Sequence, residues 1–301
     1  MYRLVSVHTF RTRQEQGREM TMLRREEQAS GTEPRAQARL EARDATIGYQ
    51  DRVISESLSV EIPAESFTVI IGPNACGKST LLRALCRGLT PSAGEIILDG
   101  KDISKYKSKH LARTLGLLPQ TALAPDGIRV ADLVSRGRHP YQSMFQQWRP
   151  EDEDAISRAL AATQVTELSG RYVDELSGGQ RQRVWLSMLL AQETPIMLLD
   201  EPTTFLDIAH QYQLLELLKS LHAQKKTLVA VLHDLNQAAR YASHLIVMKD
   251  GRVHATGAPS EVITAELVEE VFELKCLVAP DPITGTPTVY PLPPEHEPAD
   301  A

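Results

Sequence analysis

Residues 67–79 read Phe67-Thr68-Val69-Ile70-Ile71-Gly72-Pro73-Asn74-Ala75-Cys76-Gly77-Lys78-Ser79. A short apolar run suited to a buried strand leads into G-x-x-x-x-G-K-[ST] without a mismatch. Thr80 follows, and then Leu81, Leu82 and Leu85 at helical spacing, with Gly88 as a stop. The chemistry asks for these residue types. A phosphate chain is held when several backbone N–H groups point into one hollow, and glycine permits both the curl and the close approach. The N-terminus of the next helix adds partial positive charge. Lys78 brings a point charge to the β- and γ-phosphates, and the Ser79 hydroxyl can ligate Mg2+. A chance match in a chain this long has a probability on the order of a percent. The stretch predicts a nucleotide-phosphate site built from Gly72, Pro73, Asn74, Ala75, Cys76, Gly77, Lys78, Ser79 and Thr80.

Outward from this loop, strands and helices alternate. Residues 95–98, 115–118, 195–199 and 227–232 are short apolar runs suited to strands, separated by helical patterns. Residues 245–248 and 253–255 flank Asp250-Gly251, a hairpin turn signal. Continuous apolar strands of this kind predict a mostly parallel sheet covered on both faces. Residues 130–174 show helical patterns, no convincing strand and a loop rich in Arg, Pro and aromatics, which predicts a helical insertion.

A second feature completes the site. Ile196-Met197-Leu198-Leu199 ends in Asp200-Glu201. Beside a phosphate loop, Asp200 would hold Mg2+ through water and Glu201 would act as general base on the attacking water. Such acids sit at the carboxyl end of a strand, where ligands of open α/β sheets bind. A third segment, Leu176-Ser177-Gly178-Gly179-Gln180, is another anion-binding helix start.

With that segment the chain resembles the nucleotide-binding subunits of ABC transporters, whose signature sequence it carries. The resemblance implies a P-loop NTPase (RecA-like) core with a mostly parallel sheet, an antiparallel β-subdomain and an inserted α-helical subdomain at about 121–190. It also implies a head-to-tail dimer, in which Ser177, Gly178, Gly179 and Gln180 of one copy close over ATP held by the phosphate loop of the other. Further positions match one by one. Gln120 stands where the family senses Mg2+ and the membrane partner, Asp207 at the dimer-contact loop, His233 at the switch that contacts the γ-phosphate, and Tyr49 at the aromatic that stacks on adenine. Glu201 and His233 are both intact, which implies an active ATPase.

Composition sets the outer limits. The chain has 301 residues, 42% hydrophobic and 24% charged, the mix of a globular protein. A net charge of −6 weighs against a general nucleic-acid binder. Cys76, Cys86 and Cys276 are too scattered for a disulfide framework and fit a reducing setting. No run approaches the roughly 18 apolar residues of a membrane span. Arg11 and Arg13 follow Phe10 where a secretory signal would stay apolar. Residues 1–40, rich in Arg and Glu, are expected to be mostly disordered, and 292–301 to form an acidic, Pro-rich tail, leaving 41–291 as the ATPase domain.

The 57 residues from Gln120 to Ser177 leave no room for the long coiled coils of DNA-repair relatives, and one phosphate loop with one signature departs from the two-cassette translation factors. What remains is a subunit at the cytoplasmic face of a membrane, serving two separate permease subunits and, through them, an extracytoplasmic binding protein, with no nucleic-acid partner. Residues Arg136-Gly137-Arg138-His139-Pro140-Tyr141, with Phe145 and Trp148, and the run 232–242 resemble ATPases of iron–siderophore importers of the ferric-enterobactin type. Cobalamin or haem importers are the near alternative; a soluble ABC ATPase acting on nucleic acid or ribosomes, or a non-catalytic dimerisation module, is the distant one. The Arg/aromatic loop is expected to touch the permease, and the basic run Lys101, Lys105, Lys107, Lys109 and Arg113 to be a solvated face. Cys76, just before a helix N-terminus, is expected to have a lowered thiol pKa.

Overall fold

The computed structural model describes residues 38–49, 52–142 and 148–293. The expected disordered segment lies outside these residues up to position 37, and Phe145 and residues 294–301 lie outside them too. Its inner boundary moves: the first strand, β1 (Ala38–Tyr49), already includes Ala38, Arg39 and a fully buried Leu40. At the other end Leu292 still donates its N–H to the Lys275 carbonyl (2.9 Å).

β1 pairs antiparallel with β2 (Arg52–Pro63), which the apolar pattern did not announce as a strand. The reason is a shift in parity. Leu40 and Ala42 face inward, then Ala45 and Ile47 do, because the register shifts between Ala42 and Ala45. Asp44 there has φ +45° and its N–H reaches Ser59 Oγ (2.9 Å), so one bulge flips the alternation. With β4 (Ala93–Leu98) and β5 (Lys101–Asp102) these strands make a four-stranded antiparallel sheet in the order β2-β1-β4-β5.

The central sheet holds six strands. β3 (Phe67–Ile71) lies between β8 (Thr227–Val231) and β9 (His244–Lys249), parallel to both. β7 (Ile196–Asp200) and β6 (Leu115–Leu118) continue in parallel, and β10 (Arg252–Gly257) closes the far edge antiparallel to β9. Every residue of β3, β7 and β8 is buried, as a sheet covered on both faces requires. Phe67, Val69 and Ile71 pack into one core with Leu215 and Leu218 of helix Ile208–Ala223, while Ile70 packs into the other with Leu81, Leu82 and Leu85 of helix Lys78–Leu85. The β9–β10 hairpin turns through Asp250 and Gly251, both with positive φ, the two-residue turn that matches strand twist. A two-stranded ribbon, β11 (Cys276–Pro280) with β12 (Pro287–Pro291), ends the described chain.

A helical layer with its own core interrupts this order. Val130, Leu133 and Val134 of helix Val130–Ser135, Ala159 and Leu160 of helix Pro150–Ala162, and Val184 and Ala191 of helix Gly178–Ala191 pack with Ile128, Val165, Val173 and Leu176. The Arg/aromatic loop belongs to its frame. Arg138 is buried, pairs with buried Asp152 (2.8 Å) and with Glu193 (2.7 Å), and donates to the Ala191 carbonyl (2.7 Å). Tyr141 donates to the Gln192 carbonyl (2.9 Å). Arg138 and Tyr141 are therefore anchors of the fold, and only Arg136 and His139 of this turn are exposed. The basic run is exposed at all five positions, as expected of a solvated face, and two of its side chains reach back to this turn: Lys109 donates to the Gln142 carbonyl and Arg113 to that of Pro140 (2.9 Å). No described helix is long and apolar enough to cross a membrane.

Candidate functional site

The loop after β3 turns at Gly72, whose φ is +153°. A Cβ there would stand 2.1 Å from the Met248 carbonyl oxygen and 2.8 Å from Cys76 Sγ, so only glycine fits. The loop ends on helix Lys78–Leu85. Lys78 is buried, and its ammonium donates to the carbonyls of Gly72 (2.9 Å) and Pro73 (2.7 Å), across the mouth of the loop. Cys76 is buried, and burial pushes its thiol up in spite of the Lys78 charge and the backbone N–H groups. The expected lowering is thus overturned: desolvation of a thiolate outweighs the helix terminus.

The acids at the end of β7 face this loop. Ser79 Oγ donates to Asp200 Oδ1 (2.7 Å), and Asp200 is buried. Burial raises its carboxyl above the ordinary range; the Ser79 hydrogen bond opposes this and the neighbouring Glu201 charge adds to it. Glu201 has φ +51°, a left-handed conformation that costs a non-glycine residue about 1–2 kcal/mol. Three side chains hold its carboxylate. Gln120 Nε2 donates to Oε2 (2.8 Å), Thr204 Oγ1 donates to the same oxygen (3.3 Å), and His233 Nε2 lies 2.7 Å from Oε1. Backbone strain resolved by three partners at one carboxylate is the pattern of a functional group held in place.

One open cleft gathers Asn74, Ala75, Gly77, Lys78, Ser79, Thr80, Glu201 and His233. Arg52 and Ile54 line it as well. Sequence reasoning missed both, because they arrive from β2, a strand it did not recognise; Tyr49, three residues ahead of Arg52, was the available signal. Tyr49 itself stands outside the lining, exposed, with its hydroxyl accepting from Arg83 (3.0 Å). The signature lies elsewhere too. Ser177 and Gln180 form a reciprocal cap: Ser177 Oγ accepts from the Gln180 N–H (3.3 Å) and Gln180 Oε1 from the Ser177 N–H (3.1 Å). Ser177 and Gly178 are exposed, and Gly178 and Gly179 pack beside Phe205 and Leu206. Asp207 caps helix Ile208–Ala223 through the His210 N–H (2.9 Å), which holds its carboxyl below the usual range. One chain thus presents two separate helix starts, one inside the cleft and one on the surface.

The donor set fits a hard cation. A hydroxyl and a carboxylate, Ser79 and Asp200, meet where phosphate oxygens would complete the coordination of Mg2+, an ion usually held by one or two carboxylates plus substrate phosphates. Among the described residues no group of three or more His, Cys, Asp or Glu is placed to hold a metal by itself.

Comparison with known proteins agrees with this geometry. A family model described as ABC transporter matches residues 55–204. The chain is similar to the ferric enterobactin transport ATP-binding protein FepC of Escherichia coli (strain K12), with 57% identity over 256 residues, covering 85% of this chain and 94% of that one. It is similar to the probable siderophore transport system ATP-binding protein YusV of Bacillus subtilis (strain 168), with 51% identity over 82% of this chain and 90% of that one. The dimeric structure of the bacterial ABC transporter cassette MJ0796 superposes with a TM-score of 0.66 and 25% identity, covering 73% of this chain and 98% of that one. With the phosphate loop, the strand-end acids and relatives of this identity and coverage, the chain belongs to the ABC transporter family, among the ATP-binding proteins whose shared activity is ATP hydrolysis.

Proposed function

We propose that this chain is the ATP-hydrolysing subunit of an importer of ferric siderophores, bound peripherally at the cytoplasmic face of a membrane to two separate permease subunits. The observation that carries the catalytic reading is the Glu201 carboxylate, gripped by Gln120, Thr204 and His233 at the mouth of the phosphate loop.

The residues divide the work as follows. Backbone N–H groups of residues 72–80 surround the phosphates. Lys78 exchanges the Gly72 and Pro73 carbonyls for phosphate oxygens, a substitution that its position across the loop mouth makes direct. Ser79, Asp200 and Gln120 would hold Mg2+, which would supply charge neutralisation to the phosphates. Glu201 Oε1 or Oε2 takes the proton of the attacking water as general base. His233, already against Glu201, contacts the γ-phosphate and steadies that water. Tyr49 stacks on adenine. Little covalent chemistry falls to the protein, so rate comes from positioning and fixed charge.

The exposed Ser177-Gly178 helix tip lies outside its own cleft, which supports its use over ATP held by a second copy, with Asp207 at the contact. The dimeric cassette that shares this fold supports a dimer. Closing and opening of that dimer would drive the permease. The 57% identity to a ferric enterobactin transport protein supports iron–siderophore cargo over cobalamin or haem.

Uptake tests the reading. In a strain lacking this gene, the wild-type chain should restore uptake of a ferric siderophore, and Glu201→Gln should bind ATP without restoring it. Restoration of haem or cobalamin uptake alone would overturn the cargo, and uptake supported by Glu201→Gln would overturn the assigned base.

A further inference from the structure

On the outer edge of β12 one side chain takes the backbone groups of Val289. Asn236 Oδ1 accepts from the Val289 N–H (2.8 Å), and Asn236 Nδ2 donates to the Val289 carbonyl (3.3 Å). One amide thus takes both edge groups of one residue, as a neighbouring strand would. Val289 is buried and sits opposite Val278 of β11, so the clamp acts on a buried, strand-paired residue of the ribbon.

Asn236 is the second residue of helix Leu235–Tyr241, three positions after His233. The start of that helix is fixed by Asp234, whose Oδ1 accepts from the N–H groups of Asn236 (2.8 Å) and Gln237 (2.9 Å). On the other side of His233, buried Leu232 donates to the Ile70 carbonyl (3.3 Å). His233 therefore rides on a short span between two anchors, the central sheet before it and the clamped helix after it. Within that span its Nε2 stands 2.7 Å from Glu201 Oε1.

We propose that Asn236 is a positioning residue for hydrolysis: by locking helix Leu235–Tyr241 to the β11–β12 ribbon it sets where the His233 imidazole stands against Glu201 and the γ-phosphate. The ribbon is then part of the catalytic frame. The proposal rests on the reading of His233 as the γ-phosphate contact.

The test is steady-state Mg-ATP hydrolysis by the purified full chain carrying Asn236→Ala, His233→Ala or both, with rates expressed per bound ATP. Displacing a reacting group by a fraction of an ångström is expected to lower kcat about tenfold in Asn236→Ala, with KM for ATP within about twofold, since the phosphate loop is untouched. The double variant is expected to be no slower than His233→Ala alone, because both changes remove one contribution. A kcat for Asn236→Ala within twofold of wild type, or a double variant slowed by the product of the single effects, overturns the proposal. If His233→Ala itself leaves kcat unchanged, the reading of His233 falls and takes this one with it; if His233→Ala slows hydrolysis and Asn236→Ala does not, only the positioning role falls. Should Asn236→Ala fail to fold, Asn236→Asp keeps the acceptor for the Val289 N–H and loses the donor; an intermediate kcat supports the clamp and a wild-type kcat overturns it.

Discussion

Replacing Arg138 by Ala should destabilise the helical layer by several kcal/mol, although the sequence around it suggests a surface loop. The magnitude follows from what the guanidinium touches. Asp152 is buried, and without Arg138 its carboxylate keeps the Arg149 N–H (3.2 Å) at the helix start but loses its charge partner. Breaking a buried pair by removing one partner costs about 3–5 kcal/mol, because a charge is left uncompensated. Glu193 adds little, at most about 1 kcal/mol, since its side chain is nearly half exposed and retains Arg158 (3.0 Å). The Ala191 carbonyl loses a donor, and Tyr141 loses a cation 4.2 Å from its ring centroid, about 1 kcal/mol each. These terms are not additive, and about 3–5 kcal/mol is the expected loss. Urea unfolding followed by tryptophan fluorescence is the assay, because Trp148 and Trp185 both belong to or pack against this layer. The double variant Arg138→Met, Asp152→Leu should recover most of the loss. A loss below about 1 kcal/mol in Arg138→Ala would refute the assignment of Arg138 as a buried anchor.

Other outcomes follow from single contacts. Gly72→Ala places a methyl group 2.1 Å from the Met248 carbonyl oxygen, so ATP binding measured by titration calorimetry should be lost; binding at the wild-type level would show that the loop tolerates a side chain. Burial raises the Asp200 carboxyl, so protonation should compete with Mg2+ at a pH above the ordinary carboxylate range. The Mg2+ concentration for half-maximal hydrolysis should therefore rise as pH falls into the mildly acidic range, and an unchanged value there would contradict the role of Asp200. Tyr241 donates to Glu216 (2.8 Å), and burial with that contact pushes its phenol from 10.0 up to about 12. Since the folded value lies above the unfolded one, this contribution to stability is full below pH about 10 and is lost as pH rises towards about 12. Unfolding free energy of wild type should fall across that window more steeply than that of Tyr241→Phe, and parallel curves would count against the contact.

The parts of the fold legible in the sequence are those whose signal is local. β3, β7 and β8 are buried on both faces, so each is an unbroken apolar run, and the phosphate loop and Asp200-Glu201 sit at ends of such runs. β1 was hidden because a bulge at Asp44 reverses the inward parity midway along it, and β2 because its inward parity changes between Ser55 and Leu58, where Ser57 has positive φ. With β2 went Arg52 and Ile54, which reach the cleft only through its pairing. Contacts between distant positions left no trace either. Arg138 meets Glu193 across 55 positions, and Asn236 meets Val289 across 53, with nothing in either neighbourhood to pair them. Cys76 shows the limit of a local rule: its place before a helix start argued for a lowered thiol pKa, and burial against Gly72 reversed the sign.

The claim that ATP is held between two copies, the loop of one facing the signature of the other, is tested most directly by mixing two inactive variants. Lys78→Ala removes the cation of the phosphate loop, and Ser177→Arg obstructs the signature. Each alone should be inactive, since either kind of homodimer carries the same lesion in both of its sites. A mixed dimer carries one site in which an intact Lys78 faces an intact Ser177, so ATP hydrolysis should reappear on mixing. A mixture as inert as its components, when both variants fold and associate, would contradict a site shared between chains.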